Sequence, residues 1–306
     1  MLTNNPFADI LQVIHEQQEL DFHLPCSLEN KMEVSGLSSV GGVADLYGWL
    51  VGCQENSEAS LSEVHICIFA SSYKKGPGSA ATVGFVAAAS KGLAPVNRLC
   101  VDHGIGLRVL EMAPEVPHDI EEDWSELDCT RAVAFGMEAG AAGGDLLGLS
   151  DMAPGNLAGA LAVIACCITD GRAWLDTLSA DAAAEALNLL ARQGELDLTP
   201  LEALRLFGGR EAAGCLGAFL AARSRHVPVV IDGWAAITAY AVLKAIRTEG
   251  VSHVRLAACE NATQRAATDL LGMQALVGAD IDAGAGCGAA VSVSVLKAAI
   301  DVIAVT

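Results

Sequence analysis

The chain is expected to fold as an α/β protein: a mostly parallel, Rossmann-like sheet flanked by helices, with a smaller helical domain beside it. Three observations predict this class. Short, wholly apolar runs alternate with longer amphipathic ones, the pattern of strands buried on both faces and of the helices that cross between them. Hydrophobic residues make up 52% of the 306 positions, enough for a large core, whereas aromatics make up only 5%. Glycine is frequent, at 31 residues, and suits close helix–sheet and helix–helix packing better than a β-sandwich.

Taken in order, residues 8–20 read as an amphipathic helix. Residues 39–53, SVGGVADLYGWLVGC, read as a second, with Val43, Leu46, Trp49 and Leu50 on one face. VHICIFA, Val64–Ala70, is a buried strand that runs into the polar loop SSYKKGPGS. A helix over 80–91 and a strand over 98–102 continue the alternation, and the acidic PHDIEEDWSE is a solvated loop or a helix start. DLLGLS is a strand and 157–168 a helix. A helical block then covers 181–225, broken at Gly208 and Gly209. VPVVID is a strand, 235–247 a helix and HVRLAAC a further strand. The expected division is an α/β core over 60–260, with 1–59 and 261–306 forming the helical lobe.

Composition narrows the function. Acidic residues outnumber basic ones 37 to 18, for a formal charge of −19, so nucleic acid and anionic membrane surfaces are not expected partners. Ten cysteines include no CxxC pair and no Cys/His cluster at zinc spacing, so neither a metal nor a disulfide framework is expected. Cys166 and Cys167 lie in an apolar helical run and read as core thiols. The first residues lack the basic and apolar regions of a secretory signal, and no stretch is long and uninterrupted enough to span a bilayer, so a cytoplasmic location is expected.

Several strand ends carry groups suited to a ligand. In GDLLGLSDMAPGN, residues 144–156, a strand gives way through Asp151 and Gly155 to a helix starting near Asn156. Its free backbone N–H groups can cradle a phosphate, or Asn156 can simply cap an ordinary turn, and the residues leave the two readings level. Asp232 and Gly233, in VPVVIDGW, stand where an acid binds a ribose hydroxyl or holds a helix N-terminus. Lys74 and Lys75 can serve a phosphate or only solvate a turn. Asp102 and His103 form at best a weak acid–base pair. Gly284, Gly286 and Gly288 make a GxGxG run without the strand–helix context of a dinucleotide site.

DLLGLSDMAPGN, then TPLEALRLFGGREAAGCLGAFLAARSRHVPVVIDGW, then LLGMQALVGADIDAGAGCGAA resemble, in order and spacing, the signature blocks of the nicotinate-nucleotide–dimethylbenzimidazole phosphoribosyltransferases. In that family the blocks run approximately DLLGIGEMGIGNT, PLEVLRKLGGREIAAMAG with IPVLLDGF, and LGLRLGEGTGAA; SSVGGVADLYGWLVGCQ is similar to its GSLGRLEELAVWLAGIQ. The resemblance implies a dimeric enzyme that takes nicotinate mononucleotide as donor and attaches its ribose to dimethylbenzimidazole, the lower ligand of cobalamin. It places the phosphate at the turn Asp151–Asn156 and calls for no further cofactor.

The departures lie on the side of the acceptor. The GxGxGAA frame puts Ala285 where the family has the glutamate that takes the proton from the attacking nitrogen. HRSAEPGH becomes AACENATQ, residues 257–264; FAGDHG becomes FASSYKK; and Gly84 replaces a glutamine that contacts the base. Two functions are therefore carried forward. One is a phosphoribosyltransferase with an altered acceptor or a relocated base, for which Asp280, Asp282 and Glu260 are the candidates. The other is a non-catalytic homologue that binds a nucleotide or partners an active subunit, so that the dimer is with itself or with a homologue.

Overall fold

The computed structural model describes residues 6–22, 41–122, 124–179, 181–194 and 197–304. Residues 39 and 40 of the expected second helix, and 195 and 196 of the helical block, lie outside them. Five strands, β1 (Val64–Ala70), β2 (Gly106–Glu111), β3 (Leu146–Met152), β4 (Val229–Ile231) and β5 (Val254–Leu256), form one sheet in the order β2-β1-β3-β4-β5. Every pairing is parallel. The expected α/β class with a parallel sheet is therefore what the chain adopts.

The central strands β1, β3 and β4 are mostly apolar and buried because helices cover both faces. Along β1, Cys67 and Phe69 point into one core and Ile66 and Ile68 into the other, the period of two that a pleated strand imposes. The first core packs α1 (Pro6–Glu16), α5 (Glu126–Ala141), α6 (Leu157–Cys166), α8 (Asp181–Arg192), α9 (Gly209–Ser224) and α10 (Trp234–Ile246). The second packs α2 (Gly41–Gln54), α3 (Ser79–Ser90), α4 (Pro95–His103) and α12 (Cys287–Ala304). Shorter helices are α7 (Gly171–Asp176), α11 (Ala262–Leu270) and a single turn at Pro200–Ala203.

One expected strand is a helix. Residues 98–102 belong to α4, whose start is set by Pro95 in its first turn and by the Asn97 side chain, which accepts from the Ala94 N–H at 3.0 Å. Gly104, at φ 66°, ends it in the left-handed conformation. The short apolar run Leu99–Val101 reads as a strand, but the buried positions are Val96 and Cys100, four apart. Val101 is 75% exposed. The strand proper, β2, comes after the glycine.

α9 turns its small residues to the core. Its residues are buried almost end to end, against α5 above all, with Gly136 set over the Gly214 carbonyl and Gly217 over that of Val133.

Candidate functional site

The carboxyl ends of β3, β4 and the loop before α12 are tied into a single floor. At the end of β3, the Ser150 hydroxyl accepts from the Gly286 N–H at 2.8 Å. Asp151 follows. One of its oxygens accepts from the Ala235 N–H in the first turn of α10, at 2.8 Å, and the other from the Asn156 side-chain amide at 2.9 Å. Gly233, at φ 91°, permits this contact, because a Cβ there would lie 2.5 Å from the Asp151 carboxylate. At the end of β4, Asp232 is 4% exposed and accepts from the Ala289 N–H in the first turn of α12 at 3.3 Å. Both aspartates thus sit at helix N-termini, where backbone N–H groups and the helix dipole favour an acid. Of the two roles that the sequence allows Asp232, the structure shows it holding a helix start.

The turn between β3 and α6 differs in detail from a capped turn. Asn156 makes no side-chain cap to α6; its amide is spent on Asp151. Gly155, at φ 108°, allows a close approach, and the neighbour that approaches is the chain's own loop after β1. A Cβ on Gly155 would lie 2.3 Å from the Lys75 carbonyl oxygen. Lys74 and Lys75 point outward and pair with Asp119, Glu122, Glu121 and Glu185.

That loop carries a residue the sequence reading passed over. Tyr73 is fully buried, and its hydroxyl donates to Glu211 Oε1 at 2.5 Å, with Gly208 O a second acceptor at 3.3 Å. A π-helical turn, Leu204–Gly208, followed by Gly209 at φ 76°, shapes the space, since a Cβ at 209 would lie 1.9 Å from the phenol oxygen. Glu211 was itself legible as the lone acid in the apolar run GGREAAGCLGAFLAA. Nothing in FASSYKK marked Tyr73 as its partner.

The electrostatics are those of a crowded set of acids. Burial is the first cause in each case: it pushes Glu211 up, and it pushes Asp151 up with help from Glu211 and Glu260. Asp232 is pushed up to about 6 despite its backbone donors. Glu260, just beyond β5, is pushed up to about 7 by burial and by the charges of Asp232 and Asp282. The other two expected bases lie at the surface. Asp280 is paired with Arg265, and Asp282 is exposed. Ala285 is half-buried against the second core, and Gly84 is exposed on α3 with no atom near a would-be Cβ. Asp102 and His103 do not meet: the first pairs with Arg98, and the second contacts Ser294.

Among the described residues no group of three or more His, Cys, Asp or Glu is placed to hold a metal ion, and no helix is long and apolar enough to cross a membrane.

Comparison with known proteins agrees with this architecture. The nicotinate-nucleotide–dimethylbenzimidazole phosphoribosyltransferase of Rhizobium etli (strain CIAT 652) is 37% identical over 222 residues, 68% of this chain and 65% of its own length. The chain therefore matches about two thirds of that relative. The protein of the same name from Brucella anthropi is 32% identical over 281 residues, 85% of this chain and 82% of its own. A solved structure of the Thermus thermophilus protein of that name shares the fold, with a TM-score of 0.76 and 18% identity over 98% of this chain and 96% of that one. The phosphoribosyltransferase family model DBI_PRT matches residues 27–306, and the chain belongs to that family.

Proposed function

We propose that this chain transfers the phosphoribosyl group of nicotinate mononucleotide to an aromatic base such as dimethylbenzimidazole, the activity that its relatives' names describe. The observation that carries the reading is the joined floor: three separate sequence blocks, at Ser150–Asn156, Asp232–Gly233 and Gly284–Gly288, meet through the Ser150–Gly286, Asp151–Ala235 and Asp232–Ala289 hydrogen bonds at the carboxyl end of a parallel sheet. Catalysis there is mainly positioning, with one proton to remove as the base nitrogen attacks the ribose.

In this reading the phosphate sits at the start of α6, over Gly155 and Asn156, where no side chain caps the helix. Glu260 takes the proton in place of a carboxylate at position 285. Of the three candidates it is the one that is not exposed; it has no ion-pair partner among the described residues, and a group titrating near 7 is suited to a base at neutral pH. Gly84 leaves one side of the acceptor's space open. Assembly into a pair of subunits, alike or unlike, belongs to the same proposal and is read by sedimentation.

The test is to incubate the protein with nicotinate mononucleotide and dimethylbenzimidazole and to follow nicotinate. Release that depends on the base is expected. Tight donor binding without release would point instead to the non-catalytic homologue.

A further inference from the structure

β5 stands at one edge of the sheet, and its outer side is covered only in part. The later chain runs beside it at Leu256 and Ala257, whose carbonyls accept from the Leu276 and Val277 N–H groups, each at 2.9 Å. Alongside Val254 and Arg255 the space opens instead into a cavity of about 710 Å³, walled by Leu46 of α2, Tyr240 of α10, Met273 and Leu276. The residues of the joined floor lie outside its lining.

Two polar groups in this lining are unspent. Arg255 is half-buried and lies over the Trp49 ring, 5.1 Å from its centre. Among the described residues its hydrogen bond is to the adjacent Val254 carbonyl, long at 3.3 Å, and no carboxylate pairs with it. The chain has 37 acids and 18 bases, so an arginine left without one is not explained by a shortage of carboxylates. Tyr240 is 8% exposed, and its hydroxyl has no hydrogen-bond partner among the described residues. The two side chains are close enough for the charge of the guanidinium to act on the phenol. A guanidinium only donates, and stacking on an aromatic face leaves its N–H edge open. What both groups lack is a shared acceptor, and the acceptor that suits them best is an oxyanion.

The rest of the lining narrows the class. Leu46, Leu256, Met273 and Leu276 offer apolar surface, and a cavity of this volume is of the size that takes a small organic ligand. Asp45 and Asp269, both exposed, stand at the rim and repel a second negative charge. We propose that the cavity binds a small organic monoanion, a carboxylate on an aromatic or apolar body, with the carboxylate held by Arg255 and Tyr240 and the body against Leu46, Met273 and Leu276. The site is distinct from the one assigned to phosphoribosyl transfer, and the inference does not rest on that reading.

Benzoate, benzamide and inorganic phosphate are titrated by calorimetry into the wild type, Arg255→Met and Tyr240→Phe. Benzamide has the ring of benzoate without the charge. Methionine keeps much of the arginine stem against Trp49, and phenylalanine removes only the hydroxyl. Benzoate is expected to bind the wild type about tenfold or more tightly than benzamide or phosphate, the worth of one charged hydrogen-bonded pair. Arg255→Met is expected to remove that preference, weakening benzoate about tenfold and leaving benzamide unchanged. Tyr240→Phe is expected to weaken benzoate severalfold, and it decides the matter alone if the methionine variant does not fold. Saturating nicotinate mononucleotide is expected to leave the benzoate affinity as it was. No benzoate binding, equal affinity for benzoate and benzamide, benzoate affinity unchanged in the variants, or displacement by nicotinate mononucleotide overturns the site. Phosphate bound as tightly as benzoate through Arg255 overturns the ligand class.

Discussion

Position 285 presents a methyl group between Gly284 at φ 100° and Gly286 at φ 80°, in a loop whose Gly284 has no neighbour near a would-be Cβ. A longer side chain there would replace a half-buried methyl in a loop flanked by glycines. If Glu260 is the base, Glu260→Gln lowers kcat by about a hundredfold or more, the usual size of a general-base contribution. Because burial holds Glu260 near 7, the wild-type kcat/KM should rise as pH increases through about 7, when the carboxylate forms. Ala285→Glu in the Glu260→Gln background is expected to restore part of the rate. A rate unchanged by Glu260→Gln, with a flat profile across that range, would move the base elsewhere. The candidates at 151, 155, 156, 232, 233 and 260 were legible because strand ends and glycine turns announce themselves. Tyr73 was not, since its meaning lies in a contact with Glu211, 138 positions away in the chain.

Elements decide stability here through backbone proximity. Gly217 on α9 lies so close to α5 that a Cβ would stand 1.9 Å from the Val133 carbonyl oxygen, a contact that neither helix can relieve by rotating a side chain. Gly217→Ala is expected to cost about 3 kcal/mol or more in urea unfolding. Gly84→Ala, in the exposed middle of α3 with nothing near, should instead stabilise by ~0.5–1 kcal/mol, the helix propensity difference. Two glycines of equal appearance in the sequence thus have opposite signs, and only the neighbour across the interface tells them apart. Asp232 gives a second element-level test. Its carboxyl is raised from 3.8 to about 6, so its contribution to stability is complete below about 4 and is lost as pH rises through 6. Asparagine does not ionise. The stability of Asp232→Asn relative to wild type should therefore shift in favour of the variant by on the order of 2 kcal/mol between pH 4 and pH 7 and stay level above. A difference that is flat from pH 4 to pH 7 would mean that the carboxyl is not held protonated beside α12.

Across the whole molecule, the sheet and its covering helices could be read from apolar runs because a strand buried on both faces leaves no polar alternation to misplace it. The 98–102 segment failed for the same reason, since a short apolar run carries no period long enough to separate strand from helix, and the proline and glycine that bound α4 were the better signal. Charge is the property that belongs to no single element. With 37 acids against 18 bases, the folded chain concentrates a net −19, and folding works against that repulsion. Ion pairs oppose it, but those of Lys74, Lys75, Arg98, Arg131 and Arg265 are exposed by about 40% or more on the cationic side, and pairs of that kind contribute about 1 kcal/mol at most. Salt screens both effects, and at about 0.15 M its reach of ~8 Å already separates most like charges on the surface. The long-range repulsion involves many more pairs than the few close attractions. Raising sodium chloride from low millimolar to physiological strength at pH 8 should therefore increase Tm by a few degrees. A Tm that falls with salt would show that the exposed pairs, and the loop that Lys74 and Lys75 tie down over the candidate site, contribute more to the folded state than the net charge takes away.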